Sequence, residues 1–463
     1  MRHAMFYGTT FDRDEYKTKI IDNLPDKWDV HIVSRFKTVN IKQRKNVKTV
    51  YVYDHPIFNE KLNNKQILEA EKFLGTPFLH IFRCWIFWNK KMEKKKHLEK
   101  IFDAMAKYVI FWRDFFIKYN IEVFTGNLES TYPEIIALGV AKKLNIKIVN
   151  TNPGRITNTF MIYDSNHRPI FWNKLKREEV EDSWRLLKQK YNNKTEAEYS
   201  SIKKYANEYG SLSGSVNKIR AFTRYYKNYQ DANDYDKYRT NSPQALFRDI
   251  LVQMIRNMYS KRLFANVEKN TRYFMFPLQL TWEAALTYDE PFINQFDLIF
   301  NIAKCLPFGT KLVLKPHPHW RCTDVPLDVM KKMYRTENII ISNPDANTYE
   351  LIKNSMGIIT INSTVGLEAL ILEKPVVTLG HDFYAIEGVT YNVRRMEVLP
   401  EILKNVALGK AKTNRSKTIT LAANYYKNLI YLSGNIGSYY NLTDDDGKKI
   451  ADAIKYVAEN VIK

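Results

Sequence analysis

The sequence predicts an α/β protein with two Rossmann-like domains, and three observations carry that reading. Short apolar runs alternate with segments of helical periodicity over residues 1–172 and again over 267–425, the pattern of a parallel sheet wrapped in helices. A polar, Lys- and Tyr-rich stretch at 173–266 separates the two blocks and reads as a helical linker. Two strand-to-loop units in the second block, LVLKPHPHW (Leu312–Trp320) and GIITINSTVGLEALILEKPVVTLG (Gly357–Gly380), empty from apolar strands into polar loops. Such loops lie at the carboxyl edge of a parallel sheet, where open α/β folds bind ligands. A length of 463 residues fits two domains better than one core.

In the first block, Ala4–Tyr7, Val30–Val33, Val50–Tyr53, Val123–Thr125 and Ile146–Val149 are short and apolar, as buried strands are. Between them, Asn64–Phe73, His97–Lys118 and Tyr132–Leu144 carry apolar residues at helical spacing. Gly8 and Gly126 follow strands at points where a backbone turns sharply or passes close to a ligand. The second block repeats the alternation. Strands are expected at Tyr273–Pro277, Lys311–Leu314, Ile339–Ser342, Gly357–Ile361 and Val376–Leu379, with helices at Asn294–Cys305, Thr348–Lys353 and Thr364–Leu372. The tail, 426–463, holds an amphipathic helix at Asp444–Val461 begun by a Thr443/Asp444 cap.

Composition narrows the function. With 45% hydrophobic and 14% aromatic residues the chain is not disordered. A formal charge of +21 implies something anionic as partner, whether nucleotide, phospholipid or nucleic acid, although biased codon usage also enriches Lys, Asn, Ile and Tyr. Cys84, Cys305 and Cys322 give neither a disulfide framework nor a metal spacing, which fits a reducing cytoplasm. The first residues lack a signal-peptide core, and no run reaches the ~18–20 apolar residues of a spanning helix. A cytoplasmic protein, at most peripheral on the inner face of the membrane, is the expectation.

The polar loops supply the candidate binding residues. Asn362, Ser363 and Thr364 stand at a helix start with Gly366 just inside it, where unpaired N–H groups and the dipole favour phosphate. The same residues, with Glu368 in the first turns, also suit an ordinary cap. Lys315, His317 and Pro318 follow the preceding strand; a histidine there donates to phosphate or ribose oxygens, and prolines stiffen its presentation. The bland alternative is a loop histidine at a strand end. His317, His319 and Cys322 match no metal pattern, while Asp234/Asp236 and Asp444–Asp446 read as solvated charge, so no metal is expected.

For general acid–base work the candidates are Glu129, after a strand, then Asp164 and Glu283; a helix-dipole role explains Glu129 equally. Arg155 beside Gly154 can take a substrate carboxylate, or be a surface arginine. Phe78–Lys100 mixes aromatics with lysines. It suits either an anionic membrane surface or a helix with a buried apolar face.

Four segments, FPLQ (Phe276–Gln279), KPHP (Lys315–Pro318), INSTVGLEAL (Ile361–Leu370) and KPVVTLGHDFY (Lys374–Tyr384), together resemble the capsule polysaccharide biosynthesis family. That family includes the β-Kdo transferases of bacterial capsule export. A fainter echo covers Gly126–Pro169, and Trp282–Glu283 stands where the family pattern leads to Asp. The resemblance implies a GT-B-like arrangement, two Rossmann-like domains facing across a cleft, with the donor nucleotide on the C-terminal domain. The His-Pro and Ser-rich elements are also similar to those with which bacterial sialyltransferases hold CMP. It further implies sugar transfer, of Kdo or a related sugar, from a CMP-linked donor to a capsular polysaccharide or glycolipid, with no separate cofactor and no nucleic acid partner. His317, Ser363 and Thr364 would then meet the phosphate and Glu368 the ribose. The competing readings are a polyol-phosphate transferase or sugar-nucleotide epimerase, and a non-enzymatic basic protein.

Overall fold

The computed structural model describes residues 2–8, 15–34, 44–86, 95–126, 132–156, 158–192, 243–280, 286, 294–317, 322, 324–411, 413–433 and 442–462. The chain divides into two units, Met1–Lys174 with Lys427–Lys463, and Leu175–Tyr426. Both are α/β with a parallel sheet, and each is described by itself.

In the first unit, β1 (Arg2–Gly8), β2 (Trp28–Ser34), β3 (Val47–Tyr51), β4 (Val123–Thr125) and β5 (Lys147–Ile148) form a sheet in the order β3-β2-β1-β4-β5. All neighbours are parallel, with Ala4 in register with both Val30 and Val123. The chain starts in the middle, adds two strands to one side, then crosses to the other. The linking helices are α1 (Glu15–Asp22), α2 (Asn64–Leu74), α3 (Phe78–Ile86), α4 (Lys95–Lys118) and α5 (Tyr132–Lys143). Local chemistry sets their ends. Asn63 and Gln66 form a capping box before α2, at 3.0 and 2.9 Å, and Gly75 closes it with φ 75°.

The aromatic run on α4 belongs to the core. Tyr108, Phe111, Trp112, Phe115 and Phe116 are all buried, and Trp112 stacks on Phe116 at 5.4 Å. Phe78, Ile81 and Phe82 of α3 are buried too, while Leu79 between them is half exposed. For the three buried side chains this favours the buried-face reading over a membrane surface. Among the described residues no helix is long and apolar enough to cross a membrane.

Two features of this unit lie outside the strand–helix alternation read from sequence. A small antiparallel sheet joins β6 (Asn150–Pro153), β7 (Thr159–Tyr163) and β14 (Ile430–Tyr431) in the order β14-β7-β6. The terminal helix α14 (Asp444–Tyr456) is no detached tail. Ile450, Ile454 and Val457 share one core with Ala4, Ile20 and Trp28. Its Gly447 packs so tightly on α1 that a Cβ would fall 2.6 Å from the Lys19 carbonyl oxygen.

The second unit begins with α6 (Arg177–Asn192) and α7 (Pro243–Ser260), the described parts of the expected linker. It continues β8 (Tyr273–Pro277), α8 (Gln295–Cys305), β9 (Lys311–Lys315), α9 (Leu327–Arg335), β10 (Ile339–Ile341), α10 (Thr348–Asn354), β11 (Gly357–Thr360), α11 (Thr364–Ile371), β12 (Val376–Thr378), β13 (Tyr391–Asn392), α12 (Leu399–Ala407) and α13 (Arg415–Lys427). The six strands run parallel in the order β10-β9-β8-β11-β12-β13. β8 and β11 are buried along their whole length, as strands covered on both faces must be. α6 is fastened to this unit by Lys188, whose ammonium lies 2.7 Å from the Glu373 carboxylate at the end of α11.

Candidate functional site

The strand order of the second sheet reverses between β8 and β11, which opens a crevice at their carboxyl ends. The loops leaving both strands come from the FPLQ and INSTVGLEAL segments. Gln279 follows β8, and the first residue of α8 clamps its backbone: Gln279 N–H donates to Gln295 Oε1 at 3.1 Å, and Gln295 Nε2 donates to Gln279 O at 2.7 Å. Its side chain then reaches across the reversal, Nε2 donating to Asn362 Oδ1 at 2.8 Å. Gln279 is 6% exposed and Asn362 3%. Among the described residues the enclosed Gln279 Oε1 has no hydrogen-bond partner, a cost of about 1–3 kcal/mol.

Asn362 leads into the start of α11. Ser363 N–H donates to Thr360 Oγ1 at 3.1 Å, and Ser363 Oγ accepts from Val365 N–H at 3.3 Å. A hydroxyl that accepts here keeps its own proton to donate outward. Thus the cap reading and the anion reading are compatible, and the cap contributes about 1 kcal/mol. Thr364 is the first helical residue, and Glu368 sits one turn further along, partly exposed. Gly366 has a packing reason: a Cβ would lie 2.4 Å from the Tyr384 hydroxyl.

β9 delivers the KPHP segment to the same edge. Lys315 is buried, and its ammonium donates to the carbonyls of Pro344 at 2.7 Å and Pro316 at 3.2 Å. It ties the loops after β9 and β10 together, a structural task for a residue that the sequence places among the donor-binding candidates. His317 follows, partly exposed; Pro318 lies outside the described residues. After β12, Arg394 Nη1 donates to Gly380 O at 2.7 Å, and Phe383 stacks on Tyr425 at 4.9 Å. Gln279 and Tyr384 were each within a quoted motif, but a single sequence marks neither as a contact.

The expected catalytic carboxylates fare differently. Glu129 and Glu283 lie outside the described residues. Asp164, in the first unit, closes the turn after β7: its Oδ1 accepts from Asn166 N–H at 2.8 Å and Arg168 N–H at 2.9 Å. The turn accounts for it without chemistry. Arg155 lies in the connection between β6 and β7. The acid that the structure buries after β4 is Glu134, 6% exposed in the first turn of α5.

His167, in the same turn as Asp164, carries a pH prediction. Burial, with the Lys142 ammonium nearby, lowers its imidazole to about 3, while the unfolded ring titrates near ~6.5. Between those values the unfolded chain binds the extra proton. Stability is therefore full above about pH 6.5 and falls as pH drops toward 3, by at most about 1.4 kcal/mol per unit. His167→Asn keeps the left-handed backbone accessible (φ 58° in the native residue). It is expected to flatten the dependence of the urea midpoint on pH over that range.

Comparisons with known proteins bear on this geometry. Residues 193–406 match the family model described as capsule polysaccharide biosynthesis protein. Protein FixF of Sinorhizobium fredii is 32% identical over 137 residues, 29% of this chain and 32% of FixF. The Escherichia coli capsule polysaccharide export protein KpsS is 26% identical over 157 residues, 32% of this chain and 39% of KpsS. The chain thus spans well under half the length of these curated relatives. Among solved structures, the β-Kdo 2,7-transferase of Thermosulfurimonas dismutans KpsC aligns at 16% identity and TM-score 0.35, covering 77% of this chain and 97% of that one. Residues 193–406, a little under half of the chain, thus resemble the capsule polysaccharide biosynthesis family.

Proposed function

We propose that the protein is a glycosyltransferase of surface polysaccharide assembly, using a nucleotide-activated sugar held at the carboxyl edge of the second sheet. One observation carries most of this reading. The chain's family segments converge on the strand-order reversal, where the buried Gln279–Asn362 pair stands beside the N-terminus of α11. The family match over the same region supports the polysaccharide context.

In this reading the Ser363 hydroxyl, capped from behind by Val365 N–H, donates to a phosphate oxygen, joined by the first amides of α11. His317 adds a donor from the loop after β9, and Glu368 accepts from the ribose. As the glycosidic bond to the donor breaks, charge gathers on the leaving phosphate, and these fixed donors stabilise it without reorganising. The donor is a CMP-sugar, Kdo or a relative of it. The acceptor is a capsular glycan or glycolipid, and a carboxylate serves as the proton acceptor for its hydroxyl.

A thermal-shift screen against CMP, CDP, UDP and GDP tests the reading. A ligand at 100 times its Kd adds about 2.7 kcal/mol to the folded state, so CMP should raise the melting temperature by several degrees. A flat response to all four nucleotides removes the proposal. A response to UDP alone keeps the transferase and discards the CMP donor.

A further inference from the structure

The INSTVGLEAL and KPVVTLGHDFY segments, distinct in sequence, meet at one side chain. Tyr384 is fully buried, and its hydroxyl donates to the Ser363 carbonyl at 2.6 Å. The same carbonyl accepts from Gly366 N–H at 3.0 Å, so two donors converge on one oxygen and set the plane of the Ser363–Thr364 peptide. The ring lies where Gly366 has no Cβ; one there would approach Tyr384 Cζ to 2.6 Å. Tyr384 is itself held, since Thr390 Oγ1 donates to its carbonyl at 3.4 Å and its ring meets Phe383 edge-on at 5.4 Å.

We propose that Tyr384 is the positioning residue of the anion cradle. Its donated hydrogen bond fixes the Ser363–Thr364 peptide and polarises it. A peptide whose carbonyl accepts becomes a better donor through its own amide, here that of Thr364. The phenol thus tunes a phosphate contact without touching the ligand, and Gly366 serves to admit the ring. The inference rests on the nucleotide reading of this edge. The neighbouring Gln279 is more than nine-tenths buried, its Nε2 on Asn362 and its Oε1 without a hydrogen-bond partner among the described residues.

Calorimetric titration of the full chain with CMP and with cytidine tests it. Tyr384→Phe keeps the ring against Gly366 and removes only the donor. The variant should bind CMP about two- to fourfold more weakly, because the Thr364 amide it leaves less polarised is the one that meets the phosphate charge, and bind cytidine as the wild type does. Equal CMP affinity in both proteins overturns the positioning role and leaves the nucleotide site standing. Equal losses for CMP and cytidine also overturn it, since they report a general loosening of the loop. A wild-type chain that binds neither compound overturns the nucleotide reading and the proposal with it. Should the phenylalanine variant not fold, Tyr384→Met with Gly366→Ala, which fills the vacated space, must show the same selective loss of CMP.

Discussion

Gly366→Ala is expected to destabilise the second unit by about 2–4 kcal/mol. The added Cβ would lie 2.4, 2.6 and 2.8 Å from three atoms of Tyr384, well inside contact distance. The ring cannot retreat cheaply, because it is fully buried and bonded through its hydroxyl to Ser363 O. Helix propensity pulls the other way: alanine inside a helix is favoured over glycine by about 1 kcal/mol. The clash wins in the native background. In a Tyr384→Ala background the sign should reverse, since only the propensity term survives. A double-mutant cycle in urea measures both. If Gly366→Ala is as stable as the wild type, the packing account of this glycine is wrong.

The second large effect is expected at Asp446→Ala, in the first unit. By sequence alone Asp444–Asp446 reads as solvated charge. The structure corrects this for the third member: Asp446 is 0% exposed, while Asp444 and Asp445 stay at the surface. Its two carboxylate oxygens accept from Ser433 N–H at 2.8 Å and Thr443 N–H at 3.0 Å, and Thr443 Oγ1 accepts from its amide at 3.1 Å. Alanine leaves two backbone donors without their acceptor, at about 1–3 kcal/mol for a buried group. A total loss of about 2–4 kcal/mol should appear in urea unfolding. Asp445→Ala is the control. That carboxylate pairs with Lys449 at 2.6 Å but is 65% exposed, so its loss should stay below about 0.5 kcal/mol. Equal effects at the two positions would contradict the burial argument.

The strands and helices of the second unit were legible because each carries its own signal. Tyr273–Pro277 coincides with the predicted strand, and Asn294 and Asn347 cap the helices that follow them. The edge residues Asn362, Ser363 and Thr364 were legible for the same reason: small polar residues between an apolar strand and a helix have few other uses. Lys315 shows what that logic leaves out. A lysine after a strand reads as a phosphate ligand, yet its ammonium is engaged by the carbonyls of Pro344 and Pro316, and Pro344 lies in a different loop. Asp164 is alike in this, its Oδ1 accepting from two amides of its own turn.

The sequence by itself carried the α/β class, the helix start at Ser363 and the resemblance to the capsule polysaccharide biosynthesis family. These depend on periodicity, capping and local motifs, which act over a few neighbouring residues. Only the tertiary structure decided the strand orders β3-β2-β1-β4-β5 and β10-β9-β8-β11-β12-β13, and the return of the terminal helix α14 to the first unit. It alone brought Gln279 to Asn362 and Tyr384 to Ser363. Strand order and such pairings are set by which buried faces fit together across long separations. No local pattern encodes that fit, because each partner's sequence is compatible with many others until the core closes around one.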